Sequence, residues 1–230
     1  IALVVMVGTF AILGAGPVLA PLALGVAVFV IVGALTDFVE RTAVAKLPLR
    51  TAARRAIGLP RSAWGTMLAH FALGITLIGI IGETQFGAER IAEMKPGQTV
   101  SISGYDLHFD GMTTVPGPNY RDQVARFTVR RGGATVGVME PSRRTFPSRS
   151  TTRTEAALMA RGFSQLYVSL GDVSAAGTLA VRVYHKPLVL LIWLGTIVMV
   201  IGGTLSLTDR RLRVGAPKPA RGKPALQPAE

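Results

Sequence analysis

The chain has 230 residues, 49% of them hydrophobic, with a mean hydropathy of +0.42 and a formal net charge of +12 at pH 7. Apolar residues gathered into long runs exclude an ordinary soluble domain and point to an integral membrane protein. There is no cysteine, which excludes disulfides, thiolate metal sites and redox thiols supplied by this chain.

Residues 1–13 are apolar but too short to span a bilayer alone. No basic n-region or small-residue cleavage site marks them as a signal peptide, so they read as the end of a truncated transmembrane helix. The chain is therefore expected to be the C-terminal part of a longer protein. Gly14-Ala15-Gly16-Pro17 breaks this run from the next, residues 18–36, which is expected to be a transmembrane helix with Pro21 tolerated near its start.

Residues 37–63 read as a basic cytoplasmic loop punctuated by Pro48 and Pro60. Arg41, Lys46, Arg50, Arg54, Arg55 and Arg61 lie there, and Arg210, Arg211, Arg213, Lys218, Arg221 and Lys223 follow the last apolar run. A sequence pI of 11.2 could indicate nucleic acid. Charge placed this way instead follows the positive-inside rule and suits anionic lipid headgroups, so nucleic acid is not expected as a partner.

Residues 64–82 carry no formal charge. At roughly 1.5 Å per residue they match a hydrocarbon core of about 30 Å and predict a second transmembrane helix, with Ser62 as its expected N-cap. This helix contains His70. An ionisable side chain inside a span normally faces protein, a cavity or a cofactor, and neutral imidazole is both a common metal ligand and a usual axial ligand of haem iron. Simple hydrogen bonding to a neighbouring helix is the competing reading. Gly74, one turn on, would either let a flat ligand approach or serve ordinary small-residue packing.

Residues 83–186 form a polar insert of domain length. Short runs rich in β-branched and aromatic residues at 98–102, 106–109, 124–130, 135–139, 165–170 and 178–184 predict strands, and Gly132-Gly133 signals a hairpin. Residues 154–159 are the one short helical candidate. Together these predict an exported, small all-β domain of about six strands, an antiparallel barrel or sandwich. Residues 187–208 are the final transmembrane helix, and 209–230 a disordered basic cytoplasmic tail. The fold class is thus an α-helical integral membrane protein with an inserted small all-β periplasmic domain.

Inside the insert, Arg143 and Arg144 belong to a basic strip, with Arg149 and Arg153 beyond, that could bind carboxylates or a partner, or simply be a solvated loop. His108 reads as a structural strand residue, and His185 as an interfacial anchor or a proton-sensitive contact. No catalytic triad, zinc spacing, P-loop or dinucleotide motif is present. A membrane scaffold presenting the β-domain fits composition and topology equally well. A proton relay is disfavoured, because no second ionisable residue lies inside a predicted span.

The strings Ser62-Ala63-Trp64-Gly65-Thr66-Met67-Leu68-Ala69-His70, Pro141-Ser142-Arg143-Arg144 with Thr154-Glu155-Ala156-Ala157, Leu166-Tyr167-Val168-Ser169-Leu170-Gly171 and Val181-Arg182-Val183-Tyr184-His185-Lys186-Pro187 resemble, in order and spacing, the C-terminal part of the CcmF family. These are cytochrome c-type biogenesis haem lyases of bacterial inner membranes. The resemblance implies a subunit that takes haem from a periplasmic haem chaperone. It would join that haem, through thioether bonds, to Cys-x-x-Cys-His apocytochrome c brought by thiol-reducing delivery subunits. It further implies a haem b held within the membrane and reduced by membrane quinol, with His70, from the match to Gly-x-x-x-Ala-His, as one axial ligand. The family's other haem ligands and its tryptophan-rich haem-handling motif would lie upstream of Ile1. No catalytic residue is therefore expected here, and this segment alone is expected to be inactive. The β-domain is expected to dock partner subunits or brace the haem-handling surface.

Overall fold

The structure, a computed structural model, describes residues 1–13, 19–174 and 177–209. The predicted break at 14–17 and the tail beyond residue 209 lie outside the described residues. In chain order the elements are α1 (Ala2–Leu13), α2 (Leu19–Thr42), α3 (Leu49–Gly58), α4 (Arg61–Phe86), ten strands, and α5 (Val189–Leu207). Among the described residues α2, α4 and α5 are long and apolar enough to cross a membrane. Their outward faces carry large apolar side chains such as Phe29, Trp193, Ile197 and Val200. A lipid environment accepts those side chains while each helix satisfies its own backbone.

Small residues set the packing of these helices. Gly65, Ala72 and Gly79 of α4 recur every seven residues, as do Gly195 and Gly202 of α5, and the two antiparallel rows meet. A Cβ on Gly202 would stand 2.8 Å from the Gly65 carbonyl oxygen and 2.8 Å from the Ala69 nitrogen; one on Gly195 would stand 2.8 Å from the Ala72 oxygen. Lipid tails give apolar helices no reason to associate, so close backbone approach with its dispersion contacts has to do so. Gly74 serves α2 in the same way, since a Cβ there would press on Ile31 and stand 2.8 Å from the Ala27 oxygen. Gly74 is thus a packing residue and offers no open face to a flat ligand.

The predicted loop at 37–63 is corrected. Helix α2 continues through Asp37, Glu40 and Arg41 to Thr42, with Arg41 paired to Asp37 one turn earlier, and it ends where Ala43 adopts a positive φ of 53°. Helix α3 then occupies much of the remainder. Its Ala52 is buried while Leu49 and Ile57 are exposed. Trp64 ties α3 down by donating from Nε1 to the Ala56 carbonyl at 2.9 Å and packs against Phe38 with ring centroids 4.8 Å apart. Ser62 is not the cap of α4. The helix starts after Pro60, and the Ser62 amide donates to a carboxylate oxygen of Asp209, just past α5, at 3.0 Å.

The insert is a sandwich. One sheet has the order β1 (Ala88–Met94), β10 (Leu179–Lys186), β9 (Ser164–Val173), β8 (Ala157–Arg161). The other runs β2 (Thr99–Ile102), β3 (Tyr105–Pro116), β4 (Arg121–Arg131), β6 (Ser142–Phe146), β7 (Thr151–Glu155), and β5 (Ala134–Met139) also pairs with β4. All described pairs are antiparallel. Inward residues of both sheets, among them Leu107, Phe109, Phe127, Val168 and Val181, form one buried core. Phe109 and Phe127 sit opposite each other with stacked rings 5.0 Å apart. Gly132 and Gly133, both at positive φ, make the expected two-residue hairpin between β4 and β5.

All six predicted strand runs fall within strands to within one residue at their starts, but four further strands were not expected, and the helical candidate at 154–159 lies in β7, β8 and the single residue between them. Helix-forming Glu, Ala, Leu and Met are overridden there by pairing with β6 and β9.

The α4–α5 seam predicts a specific loss. Gly202→Leu should force backbone displacement and destabilise the helix pair by about 1–3 kcal/mol, whereas Gly203→Leu, whose added Cβ meets nothing within 4 Å, should be tolerated. Thermal unfolding of the detergent-solubilised protein, read through Trp64 and Trp193 emission, distinguishes the two.

Candidate functional site

Small-residue packing fixes which way His70 points. At about 100° per residue, Gly74 lies nearly opposite Gly65 on α4, and His70 falls about 40° from Gly74. The helix therefore gives one face to α5 and another to α2, and His70 emerges at the margin of the α2 contact. There the imidazole is exposed, and its Nδ1 lies 2.8 Å from the Thr66 carbonyl oxygen one turn back. A carbonyl can only accept, so Nδ1 carries the hydrogen. In the neutral ring Nε2 then holds the free lone pair, the tautomer required of an Nε2 metal ligand.

Beside the ring runs a groove of about 320 Å³ between α2 and α4, lined by Phe29, Val30, Gly33, Ala34, Asp37, Arg41, Thr66, Met67 and His70. Its middle is apolar, and Gly33 and Ala34 leave its floor open; a Cβ on Gly33 would meet nothing within 4 Å. Arg41 and Asp37 mark one end. Among the described residues no three His, Asp or Glu side chains gather in a metal cluster. A haem would bring most of its iron's ligands itself, so His70 would have to supply only one further donor, with Phe29, Val30 and Met67 as an apolar wall.

The structure does not bring Arg143 and Arg144 to this groove. They lie beyond the far end of α4, and His70 precedes Phe86 by sixteen positions, about 24 Å along the axis. Both arginines sit on strand β6 rather than in a loop. Arg144 donates from Nε and Nη2 to one oxygen of the buried Asp122 at 3.2 and 2.8 Å, and its guanidinium covers the Tyr120 ring at 4.2 Å. Arg143 pairs with Asp172 at 2.6 Å, tying β6 to β9 across the two sheets.

The other histidines take structural places. His108 lies opposite Thr99, whose Oγ1 is 3.0 Å from Nδ1. His185 packs against Tyr105 with ring centroids 5.9 Å apart. Burial first, and then the positive charge of Arg131, lower its pKa below the ordinary value of 6.5. Arg41 is the groove residue that sequence reasoning missed. The Asp37-to-Arg41 spacing of one helical turn was the available signal that α2 continues past its first charge.

The family described as CcmF C-terminal beta-sandwich matches residues 85–187. The cytochrome c-type biogenesis protein CycK of Bradyrhizobium diazoefficiens is 60% identical over 215 residues, 94% of this chain and 33% of that protein. CcmF of Pseudomonas aeruginosa is 40% identical over 156 residues, 68% of this chain and 24% of that protein. The chain thus spans about a third or less of the length of these relatives. A solved structure titled Cytochrome c Heme Lyase CcmF superposes with a TM-score of 0.66 at 16% identity over 90% of this chain and 33% of that one, a likeness of fold.

His185 generates a pH prediction. The unfolded chain takes up a proton near pH 6.5, whereas the folded domain resists it until lower pH, so stability should fall as the pH drops below about 6.5. His185→Gln should flatten that decline, measured as the unfolding midpoint between pH 7.5 and 5.

Proposed function

The chain belongs to the CcmF/CycK family and carries its C-terminal β-sandwich region, and on that premise we propose that it is part of a cytochrome c maturation haem lyase whose membrane helices hold a haem b through His70. The observation that carries this reading is the free Nε2 of His70 beside an apolar groove. The Thr66 carbonyl fixes the tautomer and stiffens the ring, Gly33 and Ala34 leave room for a planar face, and Phe29, Val30 and Met67 keep water away. Haem b bound there supplies one-electron chemistry between membrane quinol and the haem to be attached.

The remaining assignments follow the family. Haem comes from a periplasmic haem chaperone, and apocytochrome c comes from thiol-reducing delivery subunits, whose thiols this cysteine-free chain does not duplicate. The basic end formed by Arg50, Arg54, Arg55 and Arg61 faces the cytoplasm of a bacterial inner membrane, where α3 meets anionic lipid headgroups. The β-domain is then periplasmic and serves as the docking platform for partner subunits. Its internally paired arginines, Arg143 and Arg144, hold that platform in shape.

Absorption spectra of the protein purified from membranes test the haem assignment. His70→Ala should lose the reduced b-type spectrum, and His70→Gly should regain it with added imidazole. Gly33→Leu, for which the structure has space, should fill the groove and lower haem content while leaving the helices folded. An unchanged spectrum in the His70 variants would remove this residue from the haem site and leave a scaffold role ahead. Deleting residues 89–182 should abolish partner co-purification; retention of partners together with full haem content would refute the docking role.

A further inference from the structure

Arg41 lines the same groove as His70, and its guanidinium is only partly used. Among the described residues its one partner is Asp37, whose carboxylate oxygen accepts from Nε at 2.7 Å. The pair is about half exposed at both side chains. A guanidinium has five N–H donors in a rigid fork, so the single bond to Asp37 leaves the Nη edge open. An exposed i,i+4 pair of this kind contributes little to a helix, so the fold itself does not use up this guanidinium.

Resting on the haem reading above, we propose that Arg41 is the carboxylate-binding residue of this groove and receives a haem propionate on its Nη edge while Asp37 holds Nε. The groove has the layout of such a ligand: an imidazole beside an apolar middle for the macrocycle, and at one end the Arg41–Asp37 pair, whose outward guanidinium donors suit its carboxylate. Asp37 occupies the Nε donor and leaves the Nη donors for the carboxylate; its own charge opposes the propionate, so the attraction has to come from short charge-assisted hydrogen bonds at the Nη edge. The arginines at 143 and 144 cannot serve here, since they are engaged with Asp172 and Asp122 and lie beyond the far end of α4.

The experiment compares wild type, Arg41→Gln, Arg41→Lys and His70→Ala, each purified from membranes. Haem content, the midpoint potential of the bound haem and the rate of haem transfer to apomyoglobin are read. With Arg41 in the proposed role, Arg41→Gln keeps a b-type spectrum but gives haem up on the order of ten-fold faster, as expected for loss of a charge-assisted hydrogen bond. Its midpoint potential falls, because an uncompensated carboxylate disfavours the reduced iron. Arg41→Lys, with the charge but not the fork, lies between. Haem dimethyl ester, which has no free carboxylate, leaves wild type and Arg41→Gln at one common rate. Transfer and potential equal to wild type in Arg41→Gln, with haem lost only in His70→Ala, would overturn the role of Arg41 and leave the haem site standing. Full haem in His70→Ala would overturn the haem site and Arg41's role together.

Discussion

Two helices with almost no side chain between them hold the membrane part of this molecule together. In water, burying apolar surface would drive α4 onto α5; in lipid that drive is absent, and the contact has to come from backbone meeting backbone. Glycine or alanine at 65, 72 and 79 facing glycine at 195 and 202 provides it. The consequence reaches the groove. With one face of α4 committed to α5 and Gly74 committed to α2, the rotation of α4 is settled and His70 has a single place to emerge. The same small-residue logic on α2, at Gly33 and Ala34, opens the floor of the groove beside it.

Both ends of the helix pair are tied. At the basic end the Asp209 carboxylate accepts from the Ser62 amide, so the exit of α5 satisfies a donor that the first turn of α4 leaves open. At the other end Lys186 pairs with Glu83 at 3.3 Å, and the Leu190 amide reaches the Phe163 carbonyl in the turn between β8 and β9 at 3.2 Å. The sandwich is thereby joined to the helices through the chain at both of its ends and through a hairpin turn. Side chains rather than long linkers set how it stands on the membrane part.

How much of this the sequence discloses depends on whether one residue or a pairing carries the signal. The spans were legible because about twenty apolar residues have few other readings, and His70 because it is the one imidazole inside such a run. The strands at 98–102, 124–130 and 165–170 alternate as buried sandwich strands must. Strands β6 and β7 do not, because Ser142-Arg143-Arg144-Thr145-Phe146 and Thr151-Thr152-Arg153-Thr154-Glu155 exchange polar contacts where an alternating strand would insert apolar ones. Their identity exists only in the register. Residues 37–42 were assigned to a loop because a charge ends a hydropathy run; the backbone ends later, at Ala43. The sevenfold spacing of small residues on α4 and α5 was in the sequence throughout, and acquires meaning once the two rows are known to face each other.

The arginines give the clearest separation of structural from binding charge. Arg144 uses two donors on Asp122 and lays its plane on Tyr120, and Arg143 spans two sheets to reach Asp172. Removing Arg144 would strand the buried Asp122, and removing Arg143 would release the tie between the two sheets, so their charge belongs to the fold. Among the described residues Arg41 uses one donor, on a neighbour of its own helix, in a pair worth little there. From the sequence the first two resembled a ligand site because they are adjacent and basic, and the third resembled a loop charge. Accounting for each donor reverses that order: among the described residues, a guanidinium with its outer edge open and an imidazole whose Nδ1 is bonded and whose Nε2 is open line one groove and have capacity left for something else.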